Sequence, residues 1–114
     1  PGSGEFQDLL INGKPTWQVV AEKVSKVWNK NKNCMLVVGA TYPDEMKKIR
    51  KVVGDMTFLV PGIGAQGGSV AEVLKVGKNK LGLGLIINSS RGIIFANNPR
   101  EEAEKLRDEI NLYR

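Results

Sequence analysis

The sequence predicts an α/β protein with a parallel sheet, and three observations support this fold class. Short apolar runs rich in β-branched residues begin near positions 35, 56 and 84. A segment with the apolar spacing of an amphipathic helix follows each run. Each run is apolar at both odd and even positions, so both faces of the sheet require a cover. Strands separated by helices pair in parallel through right-handed crossovers.

A turn and a helix are predicted to precede the first strand. Asn12-Gly13 supplies turn residues that tolerate positive φ. From Trp17 the apolar residues recur with helical spacing, and the Asn-Lys run at 29–33 ends this helix. The segment MLVVG at 35–39 is then the first strand of the parallel sheet.

Cap and stop residues predict the limits of the later helices. Pro43 falls in the first turn of a helix that Gly54 ends, and MTFLV at 56–60 is the second strand. Ser69 to Glu72 has the pattern of a capping box, which starts a helix that Gly77 ends. The third strand is GLIIN at 84–88. The last helix has Asn98 as its cap, Pro99 in its first turn, and Ala103, Leu106 and Ile110 on one face.

Two architectures cover both faces of such a sheet. Helices can pack on both sides of a small open sheet, or a closed (β/α)₈ barrel can cover the inner face with the strands of its opposite wall. A barrel of that kind takes roughly 250 residues. The 114 residues of this chain would form about half of one.

The composition excludes several classes of function. The chain has no His, one Cys and a formal net charge of +5. It therefore lacks a Ser-His-Asp triad, a His base, a disulfide framework and a multi-thiolate zinc site. No apolar stretch approaches the roughly 20 residues of a spanning helix, and the lysines are scattered among few aromatic residues. We expect a cytoplasmic protein that binds neither membrane nor nucleic acid.

Two loops at predicted strand ends have the residues of a phosphate site. Ligands of parallel α/β folds lie at the carboxyl ends of strands. PGIGAQGG at 61–68 has four glycines in eight residues, which lets backbone N–H groups approach an anion. NSSRG at 88–92 contains Arg91, whose planar fork of donors matches phosphate oxygens. Neither loop has a carboxylate or a Lys, so the sequence predicts an anion grip without an acid or a base.

Three segments together carry a family resemblance. VVGATYPDEM, FLVPGIGAQGG and LIINSSRGIIFA, in this order and spacing, closely resemble the carboxyl-terminal half of the orotidine 5′-phosphate decarboxylase family. The opening PGSGEFQDL resembles the continuation of a loop after the fifth barrel strand. The resemblance implies that residues 1–114 are a single partial domain, with strands six to eight of a TIM (β/α)₈ barrel.

The resemblance also assigns site residues. Gln66 would reach the substrate phosphate from a mobile loop, Arg91 would pair with the same phosphate, and Pro61 would lie near the pyrimidine. The remaining implied phosphate-binding residues are Gly67, Ser90 and Gly92. Neither catalytic residues nor metal ligands are expected in this chain, because the catalytic network of the family belongs to the amino-terminal half.

The implied activity is the conversion of orotidine monophosphate to uridine monophosphate and CO₂ in pyrimidine biosynthesis, without a cofactor, by a homodimer. This chain would supply the phosphate-binding half and would be inactive alone. Two alternatives stay open. One is another sugar-phosphate-binding barrel enzyme, such as a hexulose-phosphate synthase. The other is a non-catalytic half-barrel module.

Overall fold

The computed structural model describes residues 3–64 and 66–114. Pro1 and Gly2 lie outside the described residues, as does Ala65 in the glycine-rich loop. The opening segment PGSGEFQDL was expected to continue a loop after the fifth strand, but its described part is helical at Ser3–Gln7. Three strands form a parallel sheet in the order β3-β4-β5. The predicted α/β class with parallel pairing is therefore confirmed.

Each strand of this sheet is followed by helix. The strands are β3 (Leu36–Val37), β4 (Phe58–Pro61) and β5 (Leu85–Asn88). The helices are α3 (Pro43–Val53), α4 (Val70–Gly77), the short α5 (Ser90–Ile94) and α6 (Pro99–Tyr113). The strands are shorter than the predicted runs, and the short α5 was not predicted. No helix among the described residues is long and apolar enough to cross a membrane.

A small amino-terminal unit precedes the sheet. It consists of α1 (Ser3–Gln7), the antiparallel pair β1 (Leu10–Ile11) and β2 (Lys14–Pro15), and α2 (Thr16–Lys23), which continues through a π-helical turn (Val24–Trp28) and a 3₁₀ turn (Asn29–Asn31). Asn12 and Gly13 have φ values of 51° and 77°, as a two-residue hairpin turn with both central residues left-handed requires. The turn was predicted, whereas α1 and the two paired strands are too short to show a periodicity.

The helix limits follow the predicted caps. Pro43 is the first residue of α3, and Gly54 ends it with a φ of 62°. The Ser69 hydroxyl accepts a hydrogen bond from the Glu72 N–H at 3.4 Å, and Asn98 caps α6 in the same way. Gly77 is the last residue of α4 and does not have a positive φ, but a Cβ there would lie 2.6 Å from the Met46 sulfur. At this position glycine permits close packing of α4 on α3.

The core lies between the sheet and its helices. Phe58 and Val60 project from β4 and Val38 follows β3, and Met46 and Val73 meet them from α3 and α4. From α6, Leu106 and Ile110 pack against this cluster. Ala103, which was predicted to share their face, is exposed, because α6 contacts the core through its later turns only.

The other face of the sheet is open within the described residues. Val37 is 69% exposed and Ile86 is 46% exposed. The expectation that both faces are covered is therefore wrong for this chain by itself. Three strands cannot close on themselves, so no opposite wall reaches these side chains.

Candidate functional site

The carboxyl ends of β4 and β5 bring the two predicted loops together. Pro61 pairs in register with Asn88, so the glycine-rich loop and the NSSRG loop leave the sheet at the same edge. Between them lies an open cleft of about 80 Å³. The cleft is lined by Pro61, Gly62, Ile63, Gln66, Asn88, Ser89, Ser90, Arg91 and Gly92. Five of the six predicted site residues meet here, and Gly67 does not line the cleft.

The glycine-rich loop folds back on itself. The Gly68 N–H donates to the Gly62 carbonyl at 3.1 Å, and the Gly64 N–H donates to the Gly68 carbonyl at 3.0 Å. Gly62, Gly64 and Gly67 have φ values of 98°, 71° and 85°, which residues with a Cβ rarely adopt. The Gly67 N–H donates to the Gly64 carbonyl at 2.8 Å, so it is engaged within the loop.

Close packing against the neighbouring loop requires glycine at position 68. A Cβ at Gly68 would lie 2.5 Å from the Ala40 Cβ and 2.7 Å from the Gly62 carbonyl oxygen. Ala40 is itself buried, and its N–H donates to the Pro61 carbonyl at 2.9 Å. The end of β3 therefore supports the loop that follows β4.

The polar side chains of the cleft are aimed at solvent. Gln66 and Arg91 are both exposed, and the Gln66 amide lies over Gly62, where a Cβ would approach its oxygen to 3.0 Å. Arg91 forms no ion pair with any residue that the structure describes. Because no described residue that lines the cleft is acidic, the guanidinium charge has no carboxylate partner there. The cleft can hold an anion, but the described residues that line it include no carboxylate or lysine to act as an acid or a base.

The second loop contains polar residues that the sequence reasoning missed. The Asn88 amide donates to the Ser90 hydroxyl at 3.3 Å. At Gly92 a Cβ would lie 2.9 Å from the Ser89 hydroxyl, so glycine lets this loop turn tightly. The signal for Asn88 was present in the sequence, since it is the first polar residue after an apolar strand. Its importance depends on its neighbours in space.

A second arginine forms a different kind of site at the opposite end of the strands. The Arg50 guanidinium donates to the carbonyls of Gly77 at 2.7 Å, Gly54 at 2.7 Å, Met56 at 2.6 Å and Gly84 at 3.1 Å. It also lies 3.8 Å from the centre of the Phe58 ring. Burial lowers the pKa of Arg50, and the nearby Asp55 opposes this effect. These contacts join the ends of α3 and α4 to the residues just before β4 and β5. Arg50 therefore stabilises the fold.

Side chains that can bind a metal ion are not grouped in the described part of the chain. Among residues 3–64 and 66–114, no three His, Cys, Asp or Glu side chains lie close enough together to hold a metal ion.

Comparison with known proteins gives consistent matches over the whole chain. The family model described as "Orotidine 5'-phosphate decarboxylase / HUMPS family" matches residues 1–106. The orotidine 5′-phosphate decarboxylase of Cellvibrio japonicus is 48% identical over an alignment of 120 positions, which covers 99% of this chain and 44% of that protein. The enzyme of the same name from Cupriavidus metallidurans is 46% identical over 100% of this chain and 44% of its own length.

Solved structures agree with the sequence matches. The Leishmania donovani OMP decarboxylase superposes with a TM-score of 0.91 at 40% identity, over 98% of this chain and 44% of that one. The Leishmania donovani UMP synthase superposes with a TM-score of 0.93 at 43% identity, over 98% of this chain and 25% of that one. The chain thus spans less than half the length of the curated relatives it matches.

Proposed function

The chain belongs to the orotidine 5′-phosphate decarboxylase / HUMPS family, and we propose that it is the phosphate-binding half of an enzyme converting orotidine monophosphate to uridine monophosphate and CO₂. One observation carries this proposal: two loops from neighbouring strand ends meet in a cleft that contains an arginine without an acidic neighbour. The names of the two relatives at 46% and 48% identity favour a decarboxylase over a hexulose-phosphate synthase.

The cleft residues are of two kinds, which are hydrogen-bond donors to the phosphate and an apolar residue beside them. Arg91 offers two parallel N–H donors to the phosphate, and the Gln66 amide and the Ser90 hydroxyl supply further donors. Pro61 has no donor and forms an apolar edge beside them, where the pyrimidine end of the nucleotide would lie. Phosphate binding far from the reacting carbon contributes remote binding energy, which holds the pyrimidine in place for the reaction.

The groups that break the carbon–carbon bond belong to the rest of the protein in this proposal. None of the described residues lining the cleft is a carboxylate or a lysine. The relatives are more than twice as long as this chain, and we assign the catalytic groups to their remaining length. The resemblance supports a carboxy-lyase that needs no cofactor.

The same proposal extends to the architecture. We infer that β3, β4 and β5 are strands six to eight of a TIM barrel, and that the exposed Val37 and Ile86 face its interior. The TM-scores of 0.91 and 0.93 against longer chains support the barrel part of this assignment. A homodimer and a cytoplasmic location stay predictions from the sequence.

The proposal predicts that the full-length protein and residues 1–114 alone differ in decarboxylation activity. The full-length protein that contains this chain should convert orotidine monophosphate to uridine monophosphate, followed as the change in ultraviolet absorbance. Residues 1–114 alone should show no conversion above background, because electrostatic stabilisation must act at the reacting carbon. Turnover by the isolated chain would place catalytic groups within it. A full-length protein that forms hexulose phosphate and leaves orotidine monophosphate unchanged would contradict the proposal.

Gly68→Ala in the full-length protein should weaken the binding of uridine monophosphate. The added methyl group meets buried Ala40 and the Gly62 carbonyl, so the loop that carries Gln66 must shift. A shift of about 1 Å in a binding loop can reduce activity by up to about 10²-fold, and we expect a loss of about tenfold in affinity. Isothermal titration calorimetry measures this affinity for uridine monophosphate.

Gly39→Ala is the matched control for this substitution. Gly39 precedes Ala40, nothing lies within 4 Å of its Cβ position, and its φ is not positive. The affinity of the Gly39→Ala variant for uridine monophosphate should stay within about twofold of that of the wild type. Equal affinities for the two variants would show that the Gly68 contact does not position the loop.

A further inference from the structure

Asn88 lies in the cleft, but the phosphate grip described above gives it no task. It is the last residue of β5 and stands opposite Pro61. Leu85 and Ile87 pack against the core, so the alternation along β5 places Asn88 and Ile86 on the open face of the sheet. Its amide is exposed on the same cleft that Arg91 lines.

Two hydrogen bonds are possible between Asn88 and Ser90, and they run in opposite directions. The Asn88 Nδ2 donates to the Ser90 Oγ at 3.3 Å, while the reverse contact, from the hydroxyl to the Asn88 Oδ1, is longer at 3.5 Å. A serine hydroxyl has one hydrogen and two lone pairs, and it rotates to suit its partners. When the amide occupies a lone pair, the hydroxyl hydrogen is left for another acceptor. The acceptor within reach of the cleft would be a bound anion.

We propose that Asn88 is a positioning residue, which turns the hydroxyl hydrogen of Ser90 toward the phosphate of a bound nucleotide. This inference rests on the proposed function, since it requires a phosphate in the cleft. Asparagine can orient the Ser90 hydroxyl in this way, whereas aspartate, which has the same shape, cannot. An ionised aspartate only accepts hydrogen bonds, so it would accept the Ser90 hydroxyl hydrogen that the phosphate needs. It would also place a negative charge beside the phosphate.

The test compares substitutions at position 88 in the full-length protein. Binding of uridine monophosphate and of uridine is measured by isothermal titration calorimetry. Asn88→Ala should weaken the nucleotide about fivefold, which is the range of one neutral hydrogen bond. Asn88→Asp should weaken it by about 30-fold or more, because repulsion is added to the lost donor. Both variants should bind uridine within about twofold of the wild type, since uridine has no phosphate.

Two controls separate positioning from structure and from net charge. In a Ser90→Ala background, Asn88→Ala should have no further effect on nucleotide affinity, because the group that it orients is gone. Asn111→Asp adds the same charge on exposed α6 and should leave affinity within about twofold. The melting temperatures of all variants should match that of the wild type, since Asn88 and Ser90 lie in the cleft at the strand end and not in the packed core.

The inference is overturned if Asn88→Asp is no worse than Asn88→Ala, if the two alanine effects add independently, or if uridine binding falls as much as nucleotide binding. Each of these results would occur with a wild-type protein that binds the nucleotide, and the proposed function would survive. A wild-type protein that binds no uridine monophosphate would instead contradict the proposed function, and the role of Asn88 with it.

Discussion

Arg91→Ala in the full-length protein is expected to lower kcat/KM for orotidine monophosphate by about 10²-fold or more. A hydrogen bond between charged partners contributes about 1.5 to 3 kcal/mol, and a bidentate arginine makes two of them to one phosphate. The described residues provide no second cation in the cleft, so nothing replaces the lost guanidinium. Steady-state kinetics of the purified variant measure the effect.

Two comparisons show whether the lost interaction is with the phosphate. Arg91→Lys keeps the charge but loses the planar fork, and it should recover only part of the activity. With the nucleoside orotidine as substrate, Arg91→Ala should lose almost nothing, because the interaction that was removed does not exist there. Arg107→Ala, which removes an exposed arginine of α6, is the control for net charge. An equal loss for nucleotide and nucleoside would mean that Arg91 supports the fold and does not bind phosphate.

Arg50→Ala should lower the free energy of unfolding of the full-length protein by about 3 kcal/mol. The substitution leaves four carbonyls without their shared donor and removes the cation from the face of Phe58. For a protein of more than 200 residues, this corresponds to a fall in Tm of about 6 to 12 °C, measured by circular dichroism. The loss should be large because the carbonyls of Gly77 and Gly84 both accept hydrogen bonds from this one side chain of α3.

Two variants test the cause of this loss. Lys51→Ala removes an exposed cation from the next position of α3 and should change stability by less than about 0.5 kcal/mol. Arg50→Lys should recover less than half of the loss, because an ammonium group cannot reach four carbonyls in different directions. At permissive temperature, KM for the nucleotide should stay unchanged, since Arg50 lies at the opposite ends of the strands from the cleft. A stable Arg50→Ala variant with an altered KM would contradict this assignment.

Local signals in the sequence determined the three strands of the parallel sheet, its longer helices and their order. The limits of α3 and α6 follow from Pro43, Gly54 and Asn98, whose backbone preferences act within one turn of helix. The apolar runs determined which segments became strands, and their separation by helices determined the parallel pairing. The choice of the loops after β4 and β5 as the candidate site needed only the rule that ligands lie at strand ends.

Only the tertiary structure decided which side chains meet. Arg50 looks like one more cation of a basic helix, and its role depends on carbonyls up to 34 positions away in the chain. Asn88 shares a cleft with Gln66 because Asn88 pairs with Pro61 in the sheet, and this register is a property of the pairing. Gly68 and Gly77 are required by neighbours from other loops and helices. Local preferences act over a few residues, whereas these contacts exist only once distant segments have packed, which is why the sequence determined the elements and packing determined the partners.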